Sequence, residues 1–300
     1  MSTPMWPELA FEDWKDTCAT LHMWTQIAGK IRLACAAPMN HWWQVPLYLT
    51  SRGLTTSPMP YGARTFEIAF DFCAHRLVIT TSDARTESFA LQPMSVAAFY
   101  REIMGRLSAL GIAVKIWTMP VEIADPIPFE MDSVHASYDG EMAQRFWRIL
   151  VLADRILTEF RGRFLGKASP VHFFWGSFDL AVTRFSGRTA PPHPGAPNIA
   201  TWVAQEAYSH EVSSCGFWPG NGGFGKAAFY AYAYPAAPGF SESAGLPVGA
   251  YFDKNFGEFI LPYDAARQMP DPRGAILNFL QTTYEAAANT AHWDRKGLER

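Results

Sequence analysis

The sequence predicts an α+β protein made of two related units, each formed by a helix, a four-stranded antiparallel meander and a second helix. Hydrophobic residues recur at helical spacing near both ends of each half, and they alternate with polar residues in the segments between. The chain has 300 residues, about twice the usual domain length, which favours two domains or one duplicated unit. We place the first unit at residues 1–120 and the second at residues 121–300.

The first half begins with a predicted helix over residues 11–36, where apolar side chains follow three- and four-residue steps until Pro38. The period then changes to two, which predicts strands at residues 45–50, 64–72, 76–81 and 87–91. A helix over residues 95–110 follows, capped by Ser95 and ended by Gly111. Residues 112–117 read as a further strand.

The second half repeats this order. A long helix is predicted over residues 141–167 and a closing helix over residues 272–290. Between them, alternating patterns predict strands at residues 172–185, 207–215, 227–234 and 257–261. Two long loops rich in Pro or Gly, at residues 189–198 and 235–247, interrupt this meander and are typical of functional or mobile segments.

Short local similarities support an internal duplication. His41-Trp-Trp opens the first predicted sheet and His172-Phe-Phe opens the second. If the strand at residues 112–117 begins the second unit, the arrangement resembles the TATA-binding-protein-like and helix-grip folds. That resemblance concerns topology alone and implies no function.

Five segments carry a second resemblance, which covers nearly the whole chain. They are Trp6-Pro-Glu-Leu, Thr20-Leu-His-Met-Trp-Thr-Gln-Ile, Asn40-His-Trp-Trp, His172-Phe-Phe-Trp-Gly-Ser-Phe-Asp-Leu and Tyr208-Ser-His-Glu-Val. These motifs are long and specific, and they are similar to a bacterial family of domains of unknown function, number 5996. The resemblance implies membership in that family, and it brings no activity, cofactor or catalytic residue with it.

Composition narrows the possible partners. A net charge of −3 gives no basic surface for nucleic acid, and no apolar stretch is long enough to span a membrane. Cys18, Cys35, Cys73 and Cys215 are scattered without a C-x-x-C pair, as expected for reduced thiols. The N-terminus lacks the pattern of a secretory signal, so we expect a cytoplasmic protein whose partner is a small molecule. The oligomeric state stays open.

The predicted strand at residues 172–185 carries the first candidate site residues. Its alternation breaks once, between Trp175 and Phe178, and a bulge at Gly176 would restore one continuous apolar face. With that bulge, His172 and Asp179 would share the opposite face. Without it, a regular strand would point them to opposite sides.

Neighbouring strands extend this face. Tyr208 and His210 share one side of their strand, whereas the adjacent Glu211 projects to the other side. Tyr230 and Tyr232 alternate with small apolar residues on the following strand. If those small residues pack under the helices, the tyrosines and histidines line an aromatic pocket or cleft between the sheets.

Imidazole titrates near neutral pH and a carboxylate can fix its tautomer, so His172, Asp179 and His210 are the candidate catalytic acid–base residues. Seven further residues are candidates for substrate binding: Phe174, Arg184, Tyr208, Tyr230, Tyr232, His22 and Lys30. His22 and Lys30 stand with Gln26 at four-residue steps on the first helix, as on a solvated flank or, alternatively, a polar wall facing the second unit.

Two functions are compatible with this set of residues. We expect an enzyme that acts on a small, partly apolar molecule by His/Asp acid–base chemistry. The alternative is a non-catalytic binding or assembly protein in which the histidines are structural. A divalent metal is possible, because two histidines and a carboxylate match a facial triad, but the absence of an H-x-x-x-H spacing does not favour it and the cofactor stays unknown.

Overall fold

The structure, a computed structural model, describes residues 5–195, 199–242 and 245–300. Within these ranges it is an α+β protein with seven α-helices and two antiparallel sheets of six strands each. None of the helices in the described ranges combines the length and the apolar character that crossing a membrane requires.

The first half contains two helices around the first sheet. Helix α1 spans Phe11–Cys35 and α2 spans Val96–Ala109; the Ser95 hydroxyl caps α2 by accepting a hydrogen bond from Ala98 N at 3.2 Å. The strands between them are β1 (Tyr48–Leu49), β2 (Gly53–Thr55), β3 (Met59–Tyr61), β4 (Arg64–Asp71), β5 (Arg76–Thr81) and β6 (Thr86–Ala90). They lie in the order β1-β2-β4-β5-β6, with β3 paired to the start of β4.

The second half begins with α3 (Gly140–Gly162) and contains the second sheet, in the order β7-β8-β9-β10-β12-β11. Its strands are β7 (His172–Phe174), β8 (Asp179–Thr189), β9 (His210–Trp218), β10 (Ala228–Tyr234), β11 (Tyr251–Asp253) and β12 (Glu258–Pro262). The remaining helices are α4 (Thr201–Ala207), α5 (Tyr263–Arg267), α6 (Pro272–Thr290) and α7 (Arg295–Leu298).

The two sheets meet edge to edge. Leu47, just before β1, and Phe173 in β7 exchange two backbone hydrogen bonds of 2.9 and 3.0 Å. Helix α1 packs against α2 and α3, and α3 packs against α6 as well as β8 and β9. One contiguous apolar core includes Trp24 of α1, Phe70 of β4, Phe146 of α3 and Phe173 of β7, so it joins the two halves.

Several predicted elements need correction. Each sheet has six strands rather than four. β2, β3 and β11 contain only three residues each, too few to show an alternating pattern, and the strand predicted at residues 172–185 is divided into β7 and β8. Residues 112–117 form no strand; Ala113 N donates to the Tyr61 hydroxyl instead of to a neighbouring strand. The strand expected at residues 207–215 begins at His210, because α4 continues to Ala207.

The predicted bulge at Gly176 is wrong. Residues 175–178 form a turn between β7 and β8, closed by a hydrogen bond of 2.8 Å from Phe178 N to Phe174 O. Phe178 adopts a left-handed backbone with φ of 63°, and its ring packs into the core. Because the chain reverses here, His172 lies opposite Ala181 and Phe174 lies opposite Asp179 in a hairpin.

Both long loops occur where the sequence predicts them, but only in part within the described residues. Residues 196–198 of the first loop and residues 243–244 of the second lie outside the described ranges. The helix predicted over residues 141–167 ends at Gly162, where the chain turns back toward β8 through a backbone pairing of Ala168 with Arg184.

Candidate functional site

The side of the second sheet that faces away from the core carries most of the predicted site residues. We call it the polar face. Its side chains follow the strand register: Ala181, Gly216, Tyr230 and Ile260 lie in one row that continues from His172, and Thr183, Ser214, Tyr232 and Glu258 lie in the next. Alternate residues such as Phe173, Leu180, Phe217 and Phe229 point into the core.

Asp179 and Tyr230 form the centre of the polar face. Asp179 is 7% exposed, and its carboxylate accepts a hydrogen bond from the Tyr230 hydroxyl, which reaches it across β9. Burial raises the pKa of Asp179 to about 7, and burial also raises the pKa of Tyr230 well above its ordinary value. Near neutral pH the Asp179 carboxyl can therefore hold or release a proton.

Gly216 makes this hydrogen bond possible. It lies on β9 directly opposite Tyr230, and a Cβ atom at this position would come within 2.6 Å of the Tyr230 hydroxyl. Such an atom would also collide with the carbonyl of Leu180 on β8. The missing side chain thus leaves the space through which the phenol crosses from β10 to β8.

A pair of tyrosine hydroxyls lies beside the hydrogen-bonded pair of Asp179 and Tyr230. The hydroxyls of Tyr208 and Tyr232 are 2.7 Å apart, and the His193 ring stacks on Tyr208 with centroids separated by 4.6 Å. Glu258, on β12, faces the same side, and burial together with the charge of Asp179 raises its pKa to about 7. Tyr208 comes from the end of α4 rather than from a strand, but it reaches the polar face as predicted.

Half-buried aromatic side chains surround these polar groups. They pack on a small apolar cluster formed by Ala181, Ala228, Tyr230 and Ile260, separate from the main core. The aromatic members are Phe174, Trp218, Phe224, Tyr232 and Tyr251. Phe174 lies directly opposite Asp179 in the hairpin of β7 and β8. The polar face therefore offers rings with partly exposed surfaces next to titratable carboxyls, which suits a small amphipathic ligand.

Glu122 is a member of the site that the sequence did not reveal. The Ser177 hydroxyl donates to the Glu122 carboxylate, and a side chain at Gly176 would collide with that carboxylate. Glu122 has a left-handed backbone with φ of 59°, and its charge raises the pKa of Asp179. It lies in an irregular connection without periodicity, so no sequence signal marks it; backbone strain of this kind concentrates at functional sites.

The polar residues at four-residue steps on α1, His22, Gln26 and Lys30, form a stripe that is buried. The expectation of a solvated helix flank is therefore wrong, and the alternative, a polar wall that faces the second unit, is confirmed. His22, Gln26 and Lys30 are 3%, 0% and 4% exposed. His22 Nε2 donates to Gly176 O at 2.8 Å, and burial lowers the pKa of His22 to about 4. The Gln26 amide bonds both Val121 N and Val121 O, at 2.9 and 2.8 Å.

His172 lies on the polar face as predicted, but its ring is sealed. It is 1% exposed, and neither ring nitrogen has a hydrogen-bond partner among the described residues. The rings of Trp43, Tyr48 and Phe174 surround it at centroid distances of 5.9, 5.6 and 5.3 Å. Burial lowers the pKa of His172 to about 3, so the imidazole is neutral at physiological pH.

His210 does not join His172 and Asp179. Asp179 lies beside Trp218 at one end of β9, and His210 lies eight residues away at the other end, about 26 Å along the strand. There its ring meets His41 at 5.6 Å. His41 Nδ1 donates to Ala207 O at 3.0 Å and Nε2 accepts from Lys167 at 2.7 Å, a second cluster that sequence reasoning did not foresee.

Arg184 lies on the other side of the sheet. Its guanidinium donates to Phe160 O and stacks 3.4 Å from the centroid of the Phe160 ring, with Tyr284 at 4.3 Å. It is 1% exposed and belongs to the packing between α3, α6 and β8. The structure therefore brings Phe174, Tyr208, Tyr230 and Tyr232 to the polar face and leaves Arg184 away from it.

The described ranges contain no group of three or more His, Cys, Asp or Glu side chains arranged to hold a metal ion.

Comparison with known proteins identifies the family of the chain and gives no activity for it. The chain belongs to the family of unknown function DUF5996, whose model matches residues 6–300. No curated protein and no solved structure matches the chain.

Proposed function

We propose that this member of DUF5996 is an enzyme that binds a small, partly apolar molecule on the polar face and moves a proton with Asp179. One observation carries the proposal: a buried carboxyl with a pKa raised to about 7 lies under half-exposed aromatic rings. A group that titrates near the working pH transfers protons most effectively in either direction.

The neighbouring residues have distinct roles in this proposal. Tyr230 donates a hydrogen bond from its hydroxyl to the Asp179 carboxylate and so holds the carboxyl in place. Burial and, after it, the negative charge of Glu122 keep the pKa of Asp179 high, and the charge of Asp179 contributes to the raised pKa of Glu258. The aromatic rings would grip the apolar part of the ligand. His172 is neutral and sealed from solvent, so it would stay a structural part of the wall behind the site. In this proposal Asp179 takes the acid–base role that the sequence predicts for His172.

The test compares the wild type with Asp179→Asn and Tyr230→Phe. A panel of small aromatic alcohols, amines and carboxylic acids is screened by ligand-detected NMR at pH 7, and hits are followed for chemical change over hours. We expect the same ligands to bind to all three proteins. Turnover should be lost in Asp179→Asn and at least about tenfold slower in Tyr230→Phe than in the wild type. Equal turnover by Asp179→Asn would reject the proposal.

A non-catalytic binding or assembly protein is the second candidate. The complete burial of His172 and His22 favours it, because sealed imidazoles stabilise an interior without touching a substrate. The same screen separates the two functions. Ligands that bind without any chemical change, equally in the wild type and in Asp179→Asn, would support this alternative.

We also propose that the two halves arose by duplication and that the protein works in the cytoplasm. The shared order of helix, antiparallel strands and helix supports the first proposal, and four unpaired cysteines support the second. The duplication is tested by comparing the two halves of other family members with each other. Members whose halves are more similar in sequence than those of this chain would support it. Fractionation of the native cells would test the location.

A further inference from the structure

Lys30 occupies an unusual position for a lysine. It lies on the buried polar stripe of α1 with 4% of its surface exposed. Its Nζ stands 4.6 Å from the centroid of the Trp117 ring and 6.0 Å from that of Trp175. Across the described residues, this nitrogen has no hydrogen bond and no ion pair. Buried lysines are rare, and most of them are paired with a carboxylate.

The tryptophans on the two sides of Lys30 differ in accessibility. Trp175 is buried, and its indole N–H donates to Val45 O at 2.8 Å while its ring lies against Gly29 of α1. Trp117 is 67% exposed, and its indole N–H has no such acceptor within the described parts of the chain. Lys30 Nζ keeps some contact with solvent, unlike the sealed indole nitrogens of Trp14 and Trp24. A small molecule can therefore approach the amine along the exposed Trp117 ring.

We propose that Lys30 is a nucleophilic amine that condenses with a small aldehyde or ketone whose flat apolar part stacks on Trp117. The Nζ lone pair attacks the carbonyl carbon, and the carbonyl oxygen leaves as water with the two amine protons. A carbon–nitrogen double bond then joins the ligand to Lys30. This site is separate from Asp179, so it goes beyond the function proposed above.

The environment of Lys30 supplies the free amine that this reaction needs. Burial lowers the pKa of Lys30 to about 8, and burial is its sole cause, since no charged side chain contributes. His22 and Gln26, on the same stripe of α1, are neutral, and Trp117 and Trp175 carry no charge. At pH 7 about one Lys30 in ten is deprotonated, compared with fewer than about one in a thousand for an ordinary lysine.

Reductive labelling tests the proposal on the full chain. The protein is incubated with benzaldehyde and sodium cyanoborohydride at pH 7, and the rate of modification at each of the seven lysines is read by peptide mass spectrometry. We expect Lys30 to react at least about tenfold faster than Lys15, Lys226 or Lys254, and this advantage to shrink at pH 10. Labelling that follows surface exposure, with Lys30 among the slowest lysines, would overturn the proposal.

A variant tests the aromatic part of the proposal. In Trp117→Ala we expect the rate at Lys30 to fall at least about fivefold with benzaldehyde and to stay within about twofold with formaldehyde, which has no ring to stack. Equal changes with both aldehydes would overturn the stacking of the ligand on Trp117. Asp179→Asn should leave both rates unchanged, so a failure here is distinguishable from a failure of the function proposed for the polar face.

Discussion

At the scale of single residues, two glycines determine where polar groups meet. Gly176 leaves room for the Glu122 carboxylate, and Gly216 leaves room for the phenol of Tyr230. Neither position has a positive φ, so the glycine is needed for space rather than for backbone freedom. The carboxylate of Glu122, which lies in the space beside Gly176, adds to the effect of burial in raising the pKa of Asp179.

Replacing Gly216 with alanine should therefore separate Tyr230 from Asp179. We expect a loss of about 1–3 kcal/mol in the free energy of unfolding, because the new methyl group collides with the phenol and with the Leu180 carbonyl. Gly105→Ala is the matched control, since this exposed glycine of α2 has nothing within 4 Å of an added Cβ. That change should stabilise by about 0.5–1 kcal/mol. Urea titration measures both, and effects of the same sign would contradict this prediction.

The raised pKa of Asp179 makes stability depend on pH. Its folded pKa of about 7 lies above the ordinary value of 3.8, so the folded protein holds the proton more tightly than the unfolded chain does. This stabilisation is complete below pH 3.8 and disappears as the pH rises through 7. Glu258, whose pKa is raised in the same way, acts in the same direction.

Unfolding in urea at pH 5 and pH 8 checks this dependence. We expect the wild type to lose about 1–3 kcal/mol between the two values and Asp179→Asn to lose clearly less. Asp71 provides the control, because Arg52 and backbone amides lower its pKa and keep it ionised at both pH values. The cost of Asp71→Asn should be the same at pH 5 and pH 8. A wild-type curve that is flat across this range would show that Asp179 is not protonated in the fold.

At the scale of elements, the sequence predicts what local interactions determine. Helix α2 begins and ends as predicted because Ser95 and Gly111 act on neighbouring backbone groups. The sequence does not predict the turn at residues 175–178, because Trp175 and Phe178 are large, apolar and buried and therefore resemble the core-facing residues of a strand. Glu122 could not be found at all, since its partner Ser177 lies 55 residues away.

Helix α1 and the connection that carries Glu122 are joined by Gln26. Gln26→Leu removes both bonds to Val121 while keeping the buried volume similar. We expect the Val121 amide to exchange its hydrogen at least about tenfold faster, because its acceptor is lost. Gln144→Leu serves as the control, since Gln144 makes one long bond of 3.4 Å to Phe72 O. Unchanged protection of Val121 would mean that other contacts hold this connection in place.

At the scale of the whole molecule, the helices connect the predicted units more closely than the sequence suggests. Helix α3 lies in the second half of the chain, yet the Phe146 ring packs against Trp14 of α1 with centroids 4.9 Å apart. The same ring also contacts Phe178 at 5.3 Å. The boundary drawn at residue 120 therefore crosses a shared core, which alternating patterns within one strand cannot reveal.

This shared core predicts one cooperative unfolding transition. We expect the calorimetric and van't Hoff enthalpies to agree, and tryptophan fluorescence and far-ultraviolet circular dichroism to change at the same temperature. Residues 1–120 alone should not fold stably, because they would expose the faces of α1 and β1 that α3 covers. Two separate transitions, reproduced by the separate halves, would contradict this expectation.

The backbone pairing of Leu47 with Phe173 has a consequence for self-association. An unpaired strand edge is a template on which a second chain can add, and two separate sheets would present four such edges. Here the inner edges begin to pair with each other, so that β6 and β11 lie at the two outer ends of the strand orders in the described part of the chain. Glu87, which is ion-paired with Arg106, lies on β6, and Asp253 lies on β11, so both of these edges carry charged side chains. A second chain that added a strand there would have to cover these groups, which disfavours edge-to-edge aggregation of the folded protein.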